Sequence, residues 1–203
     1  MLDSKGEIQT GIGVTSARPM HGAASTPFDA FRRIARADRG RGVWSAYVNR
    51  YEESRFDLEG REELRVVRDA GWFQAYDDEL PGEMISVPSR PRVEALLEAA
   101  DRLLWVLVSV ADREFEPLRP PTASSEGEFP VAAADIDFNR LLDTTVEVID
   151  LELGTVLARR TFDAYLRFVS TPNDDVLLYS VREDEWLDLV CDVMAGTVVG
   201  ASR

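Results

Sequence analysis

Short apolar stretches alternate with polar turns along most of the chain, and each stretch has the length of a β-strand rather than of a helix. The stretches form three groups, within residues 31–67, 93–162 and 166–193. The third group shows no clear fourth strand. In chain order, the predicted strands are Phe31–Ala35, Val43–Val48, Tyr51–Phe56, Glu63–Val67, Val93–Leu97, Leu103–Val110, Thr145–Asp150, Val156–Phe162, Leu166–Val169, Val176–Arg182 and Leu187–Val193.

A tight turn that contains aspartate and glycine recurs three times. Its copies are Leu2–Ile8, Phe56–Arg61 and Ile149–Thr155, and the last copy has one extra residue before its glycine. Aspartate caps such a turn through nearby backbone N–H groups, and glycine supplies the positive φ angle. We therefore expect each turn to join the two outer strands of a four-stranded unit.

These repeats predict an all-β fold. Units of about 40 residues with four short antiparallel strands are typical of β-propeller blades, so we predict a partial β-propeller of about three blades. The three groups of strands, 31–67, 93–162 and 166–193, would be the blades, with the last one incomplete. One leading strand within residues 1–15 would be the outer strand of another blade, so that the partial propeller occupies the whole chain, 1–203.

Helix is the competing prediction for one segment. Residues 95–104 have high intrinsic helix propensity. The corresponding segment of the first blade, residues 35–40, is turn-like. We therefore predict a strand, a turn and the next strand for residues 95–104 as well.

The strand motifs resemble those of bacterial six-bladed β-propeller proteins of the NHL-like kind. The resemblance is carried by Leu104–Val108 after a polar turn, by Val146–Asp150 before the Asp/Gly turn, and by Val156–Asp163 as the return strand. Residues 49–51 and 179–184 are also similar. The resemblance implies the propeller fold and brings no catalytic motif with it.

A six-bladed ring needs about twice as many blades as this chain supplies. The resemblance therefore implies that the chain is the C-terminal half of a longer propeller. The alternative is a homodimer in which two half-rings complete one propeller, because open sheet edges are costly. Longer exported relatives would carry a signal peptide, which the start of this sequence does not show. The compartment is therefore not predicted.

Charge narrows the range of partners. The formal net charge is −14, from 37 acidic and 23 basic residues. Such a chain repels nucleic-acid phosphates and anionic lipid surfaces, so we expect no nucleic-acid partner. The longest mostly apolar run, Leu103–Ala111, is far shorter than the ~20 residues that span a bilayer. An unidentified protein or small molecule is the expected partner.

Two segments lie outside the predicted strands. Residues 70–92 connect the first blade to the second, and residues 114–143 form an insertion within the second blade. Prolines are frequent in both. An insertion of this length at the rim of a blade is typical of a mobile or functional loop.

Aromatic residues provide one candidate ligand-binding site. Trp44, Trp105 and Tyr179 occupy matching positions of the three blades. There they could line a ligand pocket at the mouth of the channel. Packing between blades is the alternative that we favour, because large aromatic rings dominate buried surface.

Acidic residues provide one candidate metal site. Asp135 and Asp137 alternate along the chain and could present two carboxylates to Ca²⁺ or another divalent ion, which prefers oxygen ligands. No acidic cluster has the spacing of an EF-hand loop. The alternative that we favour is solvated turn and rim charge, so no cofactor is the primary expectation.

The chain offers little for nucleophilic catalysis. His21 is the only histidine and lies in a loop-like segment, and no Gly-x-Ser-x-Gly nucleophile motif accompanies it. Cys191 is the only cysteine, so an intrachain disulfide is impossible, and its strand-like surroundings indicate a buried thiol. We assign no catalytic residue.

Two functions remain open. The first is a non-catalytic propeller module that binds or scaffolds a partner on one rim. The second is a propeller hydrolase or lyase of the sugar-lactonase type, in which a divalent ion in the channel activates water. That function requires acidic or amide side chains from several blades. The loop residues to consider for it are Asp38, Asn49, Asp101, Asp112 and Asn173.

Overall fold

The computed structural model of the chain describes residues 31–37, 40–76, 88–99, 102–116, 137–170, 176–183 and 189–196. Eleven β-strands lie within these ranges, together with one short 3-10 helix at Phe138–Arg140. The strands are β1 Arg32–Ala37, β2 Gly42–Tyr47, β3 Glu52–Asp57, β4 Glu62–Val67, β5 Arg92–Ala99, β6 Leu103–Ala111, β7 Leu142–Asp150, β8 Thr155–Phe162, β9 Arg167–Ser170, β10 Val176–Glu183 and β11 Leu189–Gly196.

The strands form three antiparallel sheets, and within each sheet they follow one another in chain order. The first sheet is β1-β2-β3-β4, the second is β5-β6-β7-β8, and the third is β9-β10-β11. The all-β prediction is confirmed, and every predicted strand from residue 31 onward has a counterpart within a few residues. The leading strand predicted within residues 1–15 lies outside the described residues.

The segment with competing helix propensity is extended. Residues Leu97 and Glu98 of β5 pair with Trp105 and Leu104 of β6, as the comparison with residues 35–40 predicts. Residues of this segment pack against both neighbouring sheets, and that burial outweighs a helix propensity of a few tenths of a kcal/mol per residue.

The Asp/Gly turns form as predicted in the two copies that the structure describes. Asp57 Oδ1 accepts the N–H of Arg61 at 2.8 Å, and Gly60 has a φ angle of 83°. Asp150 Oδ1 accepts the N–H groups of Glu152 at 2.8 Å and of Leu153 at 3.0 Å. Each turn joins the third and fourth strands of its sheet.

In the part of the chain that the structure describes, the hydrophobic core consists of two layers, one on each face of the second sheet. Alternate residues of β6 point to opposite layers, as strand geometry requires. Leu104 and Val106 face the first sheet, whereas Trp105 and Leu107 face the third. All nine residues of β7 are buried. The second sheet is therefore packed between the other two.

The first strands of the three sheets lie side by side, with β5 between β1 and β9. The Val93 N–H donates to the Val48 carbonyl at 2.9 Å, and Arg33 Nη2 of β1 forms an ion pair of 2.5 Å with Glu94 Oε2 of β5. The sheets thus share a common side formed by their first strands. Among the described residues, no helix is long and apolar enough to cross a membrane.

The turn geometry predicts the effect of one glycine substitution. Gly154 has a φ angle of 65° and no neighbouring atom within 4 Å of the position of an added Cβ. Gly154→Ala should therefore cost about 1 kcal/mol of unfolding free energy through backbone strain alone. Gly71→Ala is the matched control, because Gly71 also has open space and lacks a positive φ angle. Urea unfolding of the two variants measures the difference, and equal stabilities would contradict the turn assignment.

Candidate functional site

The three aromatic candidates all lie on the second strand of a sheet, Trp44 and Trp105 as its third residue and Tyr179 as its fourth. Trp44 of β2 is fully buried against the second sheet, and Trp105 of β6 is 6% exposed in the layer against the third sheet. Tyr179 of β10 is half-buried and alternates with Leu178, which faces the second sheet. Trp105 and Tyr179 therefore lie on the face turned away from the preceding sheet, and Trp44 lies on the face that packs against the following sheet.

Both tryptophans pack against neighbouring sheets. Trp44 Nε1 donates to Glu98 Oε2 of the second sheet at 2.7 Å, and Arg55 Nη1 lies 3.3 Å from Glu98 Oε1. Trp105 packs edge-on against Phe168, with ring centroids 6.4 Å apart. A ligand-binding role of Trp44, Trp105 and Tyr179 stays a prediction.

The predicted metal pair is only half described. Asp135 lies outside the described residues. Asp137 is exposed, and its side chain caps the 3-10 helix by accepting the N–H of Asn139 at 3.1 Å. The joint binding of an ion by the two carboxylates stays a prediction.

A different set of carboxylates meets at one end of the second sheet. Asp112 directly follows β6, Asp143 is the second residue of β7, and Asp163 directly follows β8. Because these strands are antiparallel, the ends of β6 and β8 coincide with the start of β7. One carboxylate oxygen from each residue lies within 4.8 Å of the other two.

The strand register explains why the three side chains converge. Asp143 pairs with Val110, and Thr144 pairs with Phe162. Continuing each strand by one or two residues places Asp112 and Asp163 on the same face as Asp143. This face is the one that packs toward the first sheet, because Val110 contacts that core layer.

Asp143 is the buried member of the three. Asp143 is 2% exposed, and its Oδ1 atom has no hydrogen-bond partner among the described residues. Burial, followed by the negative charges of Asp112 and Asp163, raises the pKa of Asp143 to about 6. The positive charge of Arg113 opposes this shift. The cluster thus concentrates negative charge around a buried oxygen.

The carboxylate cluster also marks the base of the long connection between β6 and β7. The Asp112 N–H donates to the Leu141 carbonyl at 3.0 Å and closes this connection. Asp112 Oδ1 accepts the N–H of Glu114 at 2.5 Å. On the neighbouring turn between β8 and β9, the Leu166 N–H donates to Thr144 Oγ1 at 2.8 Å. Hydrogen bonds donated by backbone N–H groups therefore hold both connections close to the cluster.

Two further carboxylates, Glu53 of β3 and Glu147 of β7, are fully buried where the first two sheets meet. Arg68 holds Glu147 with two hydrogen bonds, from Nε to Oε2 at 3.0 Å and from Nη2 to Oε1 at 3.2 Å. The Tyr51 hydroxyl donates to the same Oε2 atom at 2.8 Å. This pattern satisfies the charge of Glu147 inside the core.

Glu53 has no such partner. Neither of its carboxylate oxygens has a hydrogen-bond partner among the described residues. Burial, followed by the negative charges of Glu147 and Glu52, raises the pKa of Glu53 well above its usual range. The pKa values of Tyr51 and Arg68 are also raised, the first mainly by burial and the second mainly by its hydrogen bonds to Glu147. This environment therefore favours the protonated form of Glu53.

Sequence reasoning missed most of these residues. The predicted third strand of the second blade began at Thr145, which left Asp143 in the insertion, and Asp163 was seen only as the end of a return strand. Asp112 was among the loop residues considered for a metal. Asn49, from the same set, is fully buried and donates through Nδ2 to the Tyr76 carbonyl. Asp38, Asp101 and Asn173 lie outside the described residues.

One signal for Glu147 was present in the sequence. Its neighbours Val146 and Val148 are apolar and face the third sheet, while Ile149 shares its own face. A lone acid within such a continuous apolar strand indicates a buried carboxylate that needs a cation elsewhere in the fold.

The raised pKa of Glu53 predicts a pH-dependent stability. The folded protein holds this proton more tightly than the unfolded chain, so stability is full below the unfolded pKa of Glu53 and falls as pH rises through the folded pKa. Glu53→Gln should remove a decline of up to about 1.4 kcal/mol per pH unit. Urea unfolding at a series of pH values measures this slope.

Glu59→Gln serves as the control, because the Glu59 side chain is 69% exposed and should leave the slope unchanged. Glu147→Gln should instead lower stability by about 1–3 kcal/mol, since it weakens the bonds from Arg68 and Tyr51. Identical pH profiles for wild type and Glu53→Gln would contradict the buried neutral acid.

Comparisons with known proteins give one structural likeness. No protein-family model and no curated protein matches the chain. A solved structure of a member of the DUF4221 family from Bacteroides vulgatus matches with a TM-score of 0.47 and 9% sequence identity. The match covers 82% of this chain and 46% of that protein, so this chain spans less than half of its length. At this identity the likeness transfers no residue role.

Proposed function

We propose that the three sheets are consecutive blades of a β-propeller and that the chain is a non-catalytic binding module. The observation that carries the proposal is the side-by-side arrangement of the first strands β1, β5 and β9, with the sheets stacked face to face. Four-stranded meanders packed around a shared inner side are the architecture of propeller blades.

The equivalent placement of aromatic residues supports the same proposal. Trp44 and Trp105 each lie on the second strand of a sheet, on the face that packs against the following sheet. Tyr179 lies on the second strand of the third sheet, on the face away from the second sheet. A repeated unit that stacks in one direction places corresponding side chains in corresponding interfaces. This regularity favours repeated blades over three unrelated sheets.

The binding surface that the geometry favours is the end of the second sheet where the β6–β7 connection leaves it. Long connections on a rigid scaffold are common binding elements. At the base of this connection lie two members of the carboxylate cluster. Asp112 is half-buried and Asp163 is exposed. With a formal net charge of −14, the chain should favour a positively charged protein or small molecule and disfavour nucleic acid.

A metal-dependent hydrolase or lyase is the second candidate, and the three converging aspartates are the observation that favours it. Such an enzyme holds its ion in the channel with side chains from several blades. Here all three carboxylates come from one sheet, at the ends of β6 and β8 and the start of β7. The binding module therefore ranks first.

A turnover assay separates the two functions. The full chain is incubated with lactones and phosphoesters in the presence of Ca²⁺, Mn²⁺ or Zn²⁺, beside the Asp143→Asn variant. The binding module predicts the same background rate for both proteins. A metal-dependent rate that Asp143→Asn lowers at least 100-fold would contradict it and establish the enzyme, because loss of a ligand removes the activated water.

A further inference from the structure

We propose that Asp112, Asp143 and Asp163 form a binding site for one hard divalent cation of the calcium type at the end of the second sheet. The site differs from the pair Asp135 and Asp137 that the sequence suggested. The proposal goes beyond the binding function and holds whether or not the module is an enzyme. It rests on the spacing, the chemistry and the burial of the three carboxylates.

The spacing fits a calcium ion. Calcium binds oxygen ligands at 2.3–2.6 Å, so two ligands on opposite sides of the ion are about 5 Å apart and adjacent ones are closer. The three carboxylate oxygens lie within 4.8 Å of one another. Oxygens this close can surround one ion once the side chains adjust slightly, and water can complete its coordination.

The burial of Asp143 is the second and independent observation. An unpaired carboxylate inside a protein is costly, and native structures compensate such a group with a counter-charge or a hydrogen bond. Asp143 is 2% exposed, yet its Oδ1 atom has no hydrogen-bond partner among the described residues. Two further carboxylates face it, and one of them, Asp163, shares a side-chain hydrogen bond with Asp143. A cation is the group that satisfies all three acids together.

The donor chemistry favours calcium over softer or smaller ions. All three donors in the cluster are carboxylate oxygens, which suit Ca²⁺ and Mg²⁺ better than zinc or copper. Mg²⁺ demands near-ideal octahedral geometry at 2.0–2.1 Å and gives up its water reluctantly. The cluster is assembled from two strand ends and one strand start, and such a site suits Ca²⁺, whose coordination geometry is more flexible. The competing cation from the protein itself is Arg113, whose charge acts on Asp143.

A bound ion would connect three parts of the chain. Asp112 opens the β6–β7 connection, Asp143 lies within β7, and Asp163 opens the turn to β9. Holding them together stabilises the folded state because the unfolded chain does not bring them together.

Calorimetric titration of CaCl₂ into the EDTA-treated full chain tests the site, with thermal unfolding as a second readout. We expect binding to depend on Asp143 and a rise in Tm of about 5–10 °C at 100 times the Kd. Mg²⁺ should bind more weakly. Asp143→Asn and Asp163→Asn should each raise the Kd for Ca²⁺ at least tenfold and reduce the Tm shift.

The variants also guard against a loss of folding. Without calcium, Asp143→Asn should melt no lower than wild type, because the substitution removes a buried negative charge. Asp163→Asn should also fold, because Asp163 is exposed. Asp69→Asn, an exposed aspartate beside the first sheet, is the matched control and should retain the wild-type Kd. Absence of calcium binding, or equal binding by wild type and both cluster variants, would overturn the proposal.

Discussion

The burial of the second sheet on both faces is the constraint on which the rest of the structure depends. β6 alternates between two core layers, and β7 is buried along its whole length. A strand of this kind is stable only when a sheet covers each side, because apolar surface left in water would cost about 25 cal/mol per Å². The first and third sheets provide that cover, and the shared side of first strands follows from their stacking.

The same constraint explains the behaviour of the polar groups. Glu147 lies on a strand with no exposed face, so its charge is satisfied by Tyr51, which directly precedes β3, and by Arg68, which directly follows β4. These bonds connect the two sheets across their core. Asp143, on the same face of β7, lies at the strand end and meets other acids instead. Glu147 therefore stabilises the interface between the two sheets, whereas Asp143 lies in a cluster of negative charge that suits a cation.

The sequence was informative about local structure because strands and turns depend on neighbouring residues. Asp57 and Asp150 were identified as turn caps from their spacing to glycine, and the strand assignment of residues 95–99 followed from comparison with the first blade. The aspartate cluster could not be predicted in the same way. Asp112, Asp143 and Asp163 are far apart in sequence, and only the register of β6, β7 and β8 brings them together. The site depends on the pairing of strands that are distant in sequence, and no short sequence pattern encodes that pairing.

Native-state amide hydrogen exchange is the most direct measurement of the central claim. If the second sheet is enclosed by the other two, the paired amides of β6 and β7 exchange most slowly, and only through global unfolding. The amides of the outer strands β4 and β8, whose residues are largely exposed, exchange faster through local opening. Equal protection of β7 and β8, or fast exchange throughout β6 and β7, would contradict the stacked arrangement.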